Sequence, residues 1–170
     1  MDVLFSRRSI RRYKDRPVGD DDIHYILRAA MSAPSAGNER PWHFITIKER
    51  ASLDKIMSFQ PYSQMLKEAP MAILVCGDEK LEKYKGFWPQ DCSAAMENML
   101  LAACSRGLGA VWLGIYPVED RIRPMREHMG LPEHVVPFAL MALGHPNEEK
   151  PTNNRYDPSR VHSERWRGSS

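Results

Sequence analysis

Four arginines surround a serine near the start of the chain, in the stretch Arg7-Arg8-Ser9-Ile10-Arg11-Arg12. A guanidinium group binds phosphate oxygens in pairs, and a serine hydroxyl can donate a hydrogen bond to the same phosphate. The stretch therefore indicates a handle for one small phosphorylated molecule. A solvated basic arm, or a patch for nucleic acid, stays open from these residues alone.

The rest of the composition restricts the class of protein. The 170 residues predict a single domain over 1–170, and the formal net charge of +2 makes the basic stretch a local feature rather than part of an extended nucleic-acid surface. The three cysteines fit no metal-ligand spacing and are typical of buried residues in a reducing compartment. No apolar run is long enough to cross a membrane and no signal peptide precedes the arginines. We therefore expect a cytoplasmic protein with no metal, membrane or nucleic-acid partner.

A second polar segment, Pro34-Ser35-Ala36-Gly37-Asn38, precedes Glu39-Arg40-Pro41-Trp42. Apolar residues at helical spacing from Ile23 to Met31 predict an amphipathic helix before it, and a strand is predicted after it. The prolines and glycine give a loop with a fixed path, on which short polar side chains can bond a heteroatom-rich ring. A plain helix–loop–strand connection, with Trp42 as a core residue, is the alternative.

Three apolar stretches predict core strands at 71–76, 108–115 and 135–144, and the first should be buried on both faces. A long helix is predicted from about Gln90 to Ser105. Its residues are apolar on nearly all sides, and such a helix must be buried on nearly all sides. We therefore predict that part of this helix meets another subunit.

The arginine stretch, the amphipathic helix and the Ala-Pro-Ser-Ala-Gly-Asn-Glu-Arg-Pro-Trp loop together resemble the opening of the nitroreductase family of flavin enzymes. The similarity in order and spacing extends from Arg7 to Trp166. One departure is Arg40, where many members carry glutamine, and its role is left open. The resemblance implies an α+β fold: a central mixed, mainly antiparallel sheet flanked by helices, with a C-terminal arm, residues 153–170, lying on a partner subunit.

The resemblance also implies a function. FMN performs the redox step, taking hydride from NADH or NADPH and passing it to a small acceptor such as a nitroaromatic or a quinone, by a ping-pong mechanism. No catalytic side chain is implied, because the chemistry takes place at the flavin N5 atom. The partner is a second copy, with FMN sites at the homodimer interface. A dehalogenase or flavin-consuming enzyme of the same fold, or a non-enzymatic flavin-binding protein, remains an alternative.

Residue by residue, the resemblance implies three sets of FMN contacts. Arg7, Arg8, Ser9 and Arg11 should bind the phosphate and ribityl chain, and Arg155 should complete this site with help from Asn153. The loop residues Pro34, Ser35, Ala36 and Asn38 should contact the ring of the partner's flavin. Backbone N–H groups near the reactive side of the ring come from Leu113, Gly114 and Ile115.

Two further assignments are less direct. An amide side chain should bond the pyrimidine edge of the flavin; the predicted site includes Gln64, although these residues do not decide between it and Gln60. Phe87 and Trp88, at the start of the long helix, could shape a substrate pocket or simply pack.

Overall fold

Four antiparallel strands form the centre of the protein, in the order β1-β2-β4-β3. They are β1 (Trp42–Ile47), β2 (Met71–Asp78), β3 (Gly109–Gly114) and β4 (Val135–Gly144). The computed structural model describes residues 2–152 and 154–166. Every residue of β2 and β4 is buried, which confirms the prediction of a strand covered on both faces. A parallel contact is made only by a single bridge between Ser9 and Ala110, within the described residues.

The described residues form five α-helices around the sheet: α1 (Val3–Ser6), α2 (Asp20–Met31), α3 (Arg50–Met57), α4 (Trp88–Ser105) and α5 (Glu119–Met129). Helices α2 and α4 share one hydrophobic core with one face of the sheet, whereas α3 and α5 share a second core with the other face. Short 3₁₀ turns lie at Ala36–Asn38, Gln64–Lys67 and Pro158–Arg160. This α+β arrangement confirms the predicted fold class.

Helix α4 corrects one inference from the sequence. Met99 and Leu100 are 0% and 4% exposed within a single chain, because both the sheet and α2 pack against α4. The apolar character of the helix therefore does not require a second subunit at these two positions. Half-buried residues that remain on α4 include Ala94, Leu101 and Cys104.

Both ends of the described chain expose large apolar side chains. Phe5 on α1 is 71% exposed and Trp166 is 81% exposed. From residue 154 onward the only helix or strand within the described residues is the turn Pro158–Arg160. The predicted arm begins at Asn153, which lies outside the described residues, and its contact with a partner subunit remains a prediction. Within the described parts of the chain, no helix has both the length and the apolar character to span a bilayer.

Candidate functional site

A groove of about 1030 Å³ separates the N-terminal segment from the segment after β4. Its walls include four arginines and a serine that the sequence singled out, Arg7, Arg8, Ser9, Arg11 and Arg155. The fold thus brings the predicted phosphate residues together from opposite ends of the chain. Lys150, Thr152 and Asn154 also line the groove and were not predicted. Asn153 lies outside the described residues.

The N-terminal segment is held against the edge of β3. The Ile10 N–H donates to the Ala110 carbonyl at 3.0 Å, and the Lys150 ammonium donates to the Ser9 carbonyl at 2.6 Å. The Ile10 side chain lies directly over Gly109, where a Cβ atom would come within 2.7 Å of it. Glycine at 109 therefore lets the arginine-bearing segment pack directly against the sheet.

Arg8 supplies the clearest sign that the groove is built for an anion. Its Nε donates to the Pro151 carbonyl at 2.7 Å, and its Nη1 donates to the carbonyls of Phe5 and Arg7 at 3.1 and 2.7 Å. Its Nη2 is buried and has no acceptor in the described part of the protein. A buried donor without an acceptor is costly, and a phosphate oxygen is a suitable acceptor for a guanidinium. The residues present therefore fit a phosphate group.

Glu148 fixes the backbone beside these arginines. One of its oxygens accepts hydrogen bonds from the N–H groups of Arg11 and Arg12 and lies 3.3 Å from the Lys150 ammonium. Burial acts to raise the pKa of Glu148, but the Arg11 N–H and the Lys150 ammonium outweigh it and hold the pKa below its ordinary value. Glu148 is thus a carboxylate that holds the backbone of Arg11 and Arg12 and the ammonium of Lys150 beside the groove.

A second cavity, of about 430 Å³, shares one lining residue, Arg11, with the first. Its other walls are Gln60, Tyr62, Gln64, Met65, Trp112, Leu113 and Gly114. The two cavities together offer a cationic end and an end with aromatic and amide walls. This combination suits a phosphorylated molecule that carries a flat, polar ring.

The structure separates the roles of the two glutamines. Gln60 is 1% exposed; its Nε2 donates to the Gly114 carbonyl at 2.8 Å and its Oε1 accepts from the Tyr62 N–H at 3.4 Å. Gln64 is exposed at the cavity wall. Gln60 is therefore committed to the protein's own backbone, and Gln64 is the amide that can bond a ligand.

The end of β3 offers fewer backbone donors than predicted. The Ile115 N–H donates to the Phe138 carbonyl at 3.1 Å, so it is not available to a ligand. N–H and C=O groups of a strand alternate in direction, and the Gly114 carbonyl accepts from Gln60 and from Arg121 at 3.0 Å on the outer edge. By the same alternation the Leu113 N–H faces β4 and the Gly114 N–H faces outward. Gly114 is thus the one backbone donor that the predicted trio directs at the cavity edge.

The loop at 34–38 does not contribute to this groove. Pro34, Ser35, Ala36 and Asn38 line neither cavity. The Ser35 hydroxyl accepts from the Arg40 N–H at 3.0 Å, and Gly37 and Asn38 hold positive φ angles of 51° and 55°. Their predicted contact with a flavin bound to another subunit is compatible with this position and stays a prediction.

The two aromatic residues at the start of α4 differ from one another. Phe87 is 45% exposed, whereas Trp88 is 4% exposed and packs edge-on against Tyr116 and Phe138, with ring centroids 4.7 and 6.0 Å apart. Trp88 lines a separate cavity of about 520 Å³ and neither of the two grooves above. Its position supports the packing alternative; Phe87 keeps a surface that a substrate can reach.

Comparison with known proteins gives a consistent result. The model of the nitroreductase family matches residues 4–60 and 59–145. A protein of Methanothermobacter thermautotrophicus, provisionally named NADH dehydrogenase/NAD(P)H nitroreductase, is 52% identical over 166 residues, which cover 98% of this chain and 87% of that one.

Two solved structures extend the similarity to three dimensions. A protein of Parabacteroides distasonis with the same provisional name has a TM-score of 0.94 at 42% identity, covering 97% of both chains. A nitroreductase from Desulfovibrio desulfuricans, solved in complex with FMN, has a TM-score of 0.83 at 30% identity, covering 97% of this chain and 96% of that one.

Proposed function

Since the chain belongs to the nitroreductase family, we propose that it is an FMN-dependent oxidoreductase that takes hydride from NADH or NADPH. One observation carries the proposal: the groove that gathers Arg7, Arg8, Ser9 and Arg155, in which the buried Nη2 of Arg8 lacks an acceptor among the described residues. The FMN complex of a relative with 30% identity and the names of the relatives support the same kind of chemistry.

The residues of the groove divide the binding of FMN between them. The guanidinium groups and the Ser9 hydroxyl hold the phosphate, and Lys150 adds a positive charge at the same end. The Gln64 amide and the Gly114 N–H bond the polar edge of the ring, in the cavity that Tyr62 and Trp112 partly enclose. When bound, FMN supplies the hydride-accepting and hydride-donating chemistry.

The acceptor is a small flat molecule such as a nitroaromatic or a quinone, and it uses the same site as the nicotinamide in a ping-pong cycle. The sequence contains no G-x-G-x-x-G fingerprint for a separate dinucleotide. Both substrates must then reach the cofactor through one open face. Phe87, which is exposed but lines neither cavity of its own chain, stays a candidate for the substrate pocket.

The active unit is a homodimer with an FMN site at each end of its interface. Exposed Phe5 lines the groove itself, and exposed Trp166 ends the described part of the arm. The loop at 34–38 lines neither cavity of its own chain, which supports its assignment to the flavin of the other. A cytoplasmic location is part of the same proposal.

Anaerobic reduction tests the proposed function. NADH or NADPH should bleach the flavin of the purified protein, and a quinone or nitroaromatic should restore the colour. In the steady state, double-reciprocal plots at several acceptor concentrations should be parallel. FMN recovered intact after many turnovers excludes the flavin-consuming alternative. A flavin that neither nucleotide reduces would leave the non-enzymatic flavin-binding protein as the correct account.

A further inference from the structure

Two buried carboxyl groups face one another beneath the loop at 34–40. Glu39 lies at the end of this loop and is 7% exposed; Asp91, in the first turn of α4, is 5% exposed. Both residues hydrogen-bond to Ala36, since the Glu39 N–H donates to its carbonyl at 2.9 Å and Asp91 Oδ1 accepts from its N–H at 3.0 Å, so the two carboxyl groups are close neighbours. Glu39 Oε1 and Asp91 Oδ2 are both buried, and in the described residues neither has a hydrogen-bond partner.

The remaining oxygen of each carboxyl group holds backbone. Asp91 Oδ1 accepts from the Ala36 N–H at 3.0 Å, and Glu39 Oε2 accepts from the N–H groups of Lys83 and Tyr84 at 2.7 and 3.1 Å. The Lys83 ammonium also donates to the Gly37 carbonyl at 3.0 Å. The pair thus connects three segments: the loop at 34–40, the residues at 83–84 and the start of α4.

A shared proton explains this arrangement. Two buried carboxylates side by side repel one another, and both partnerless oxygens would lack a donor. One proton between them removes the repulsion and satisfies both oxygens. Burial is the main cause that raises the pKa of Asp91, and Glu39 and Glu82 raise it further. Burial acts in the same direction on Glu39, but the N–H groups of Lys83 and Tyr84 lower its pKa on balance.

We infer that Asp91 carries a proton in the folded protein and donates a hydrogen bond to Glu39, and that this pair positions the loop at 34–40. The flavin contact of that loop rests on the proposed function; the shared proton does not. The other charged or titratable groups around the pair are Glu82, which accepts from the N–H groups of Gly86 and Trp88, the Lys83 ammonium, and the buried thiol of Cys92.

The stabilisation that the pair gives to the loop is therefore lost at both high and low pH. Because the pKa of Asp91 is raised in the folded state, its stabilisation is lost as the pH rises through that pKa and two charges face one another. Because the pKa of Glu39 is lowered, its stabilisation is lost as the pH falls through that pKa, when the acceptor for Lys83 and Tyr84 is weakened. The loop is held best between the two values.

Infrared spectroscopy on the FMN-free and FMN-loaded protein tests the proton directly. We expect a band from a protonated carboxyl group that persists to a higher pH than an ordinary aspartic acid allows, shifts in D₂O and is missing from Asp91→Asn. The control Asp21→Asn, at an exposed position of α2, should keep it. A wild type whose carboxyl band disappears at the pH of an ordinary aspartic acid would overturn the inference.

Amide substitutions test the positioning role, because an amide offers one acceptor and one donor. Asp91→Asn and Glu39→Gln should each keep the Ala36 N–H protected from hydrogen exchange, and Asp91→Asn should remove the alkaline loss of protection. The double variant sets two NH₂ groups against each other, so protection of Ala36 should fall more than tenfold. A double variant that protects Ala36 as well as the wild type would refute the positioning role. A wild-type protein that shows the infrared band but does not bind FMN would instead count against the proposed function alone.

Discussion

The side-chain amide of Gln60 donates a hydrogen bond of 2.8 Å to the carbonyl oxygen of Gly114 and so ties the segment after α3 to the end of β3. The same carbonyl accepts from Arg121, whose guanidinium group also lies 5.2 Å from the centre of the Tyr62 ring. Two side chains therefore fix the Gly114 carbonyl at the cavity wall. Gln64, on the open side of that wall, has its amide available to a ligand.

Substitution of the two glutamines should affect different properties, stability for Gln60 and FMN binding for Gln64. Gln60→Ala should lower the free energy of unfolding by roughly 1–3 kcal/mol, because it removes a buried hydrogen bond. Gln64→Ala should change the free energy of unfolding by less than about 0.5 kcal/mol, as is usual for surface positions, and should lower the affinity for FMN. Urea unfolding and flavin titration measure the two quantities. An unchanged FMN affinity in Gln64→Ala would remove this residue from the site.

Arg155→Ala should lower the affinity for FMN more than tenfold, since a charge-assisted hydrogen bond contributes about 1.5–3 kcal/mol. Riboflavin lacks the phosphate, so its affinity should change little. Arg28→Ala, at an exposed position of α2 outside the groove, is the control and should affect neither ligand. Isothermal titration of both flavins separates the cases. Equal losses for FMN and riboflavin would place Arg155 away from the phosphate.

Phe5→Glu should reduce the dimer content and the FMN affinity together. Phe5 is exposed in the single chain and lines the groove, so a charge there need not disturb the core of the subunit. Met99 and Leu100 do not offer this test, because a charge at either would disrupt the interior of one chain. Ala51→Glu, on the exposed side of α3, adds the same charge elsewhere. Sedimentation with detection at the flavin absorbance follows both quantities, and a monomer with full FMN occupancy would show a site built within one chain.

Glu148→Gln should make stability less dependent on acid pH. The lowered pKa of Glu148 means that its stabilisation is complete above its ordinary value of 4.5 and is lost as the pH falls through the folded-state value. At pH 7 the variant should be less stable by about 1 kcal/mol, after allowance for screening by water. The difference in free energy of unfolding between the wild type and the variant should disappear in acid. Urea unfolding from pH 7 to pH 3 measures this difference, with Glu127→Gln on α5 as the control. A difference that does not change with pH would mean that the charge of Glu148 does not contribute to stability.

Much of the site was visible in the sequence because it depends on residue type. A guanidinium group suits a phosphate in any fold, and the structure brings Arg7, Arg8 and Arg11 into one groove with Arg155. The strand at Met71–Asp78 was predictable because a continuous apolar run must be covered on both faces. These features follow from local composition, and the family resemblance supplied their arrangement.

The remaining features depend on contacts that residue type does not encode. An apolar face shows that something covers α4 but not what, and other segments of the same chain bury Met99. The direction of the Ile115 N–H is set by the register of β3 on β4. Lys150 was missed because its role depends on a tail that folds back to the Ser9 carbonyl. A buried glutamine such as Gln60 differs from an exposed one only after the fold is known.

Flavin content of the purified protein is the most direct measurement of the central claim. The account predicts a yellow protein that holds close to one non-covalent FMN per chain, identified after release by acid or heat. The buried Nη2 of Arg8 should then contact its phosphate, so Arg8→Ala should purify with much less FMN. A colourless wild type that also fails to bind added FMN would contradict the account as a whole.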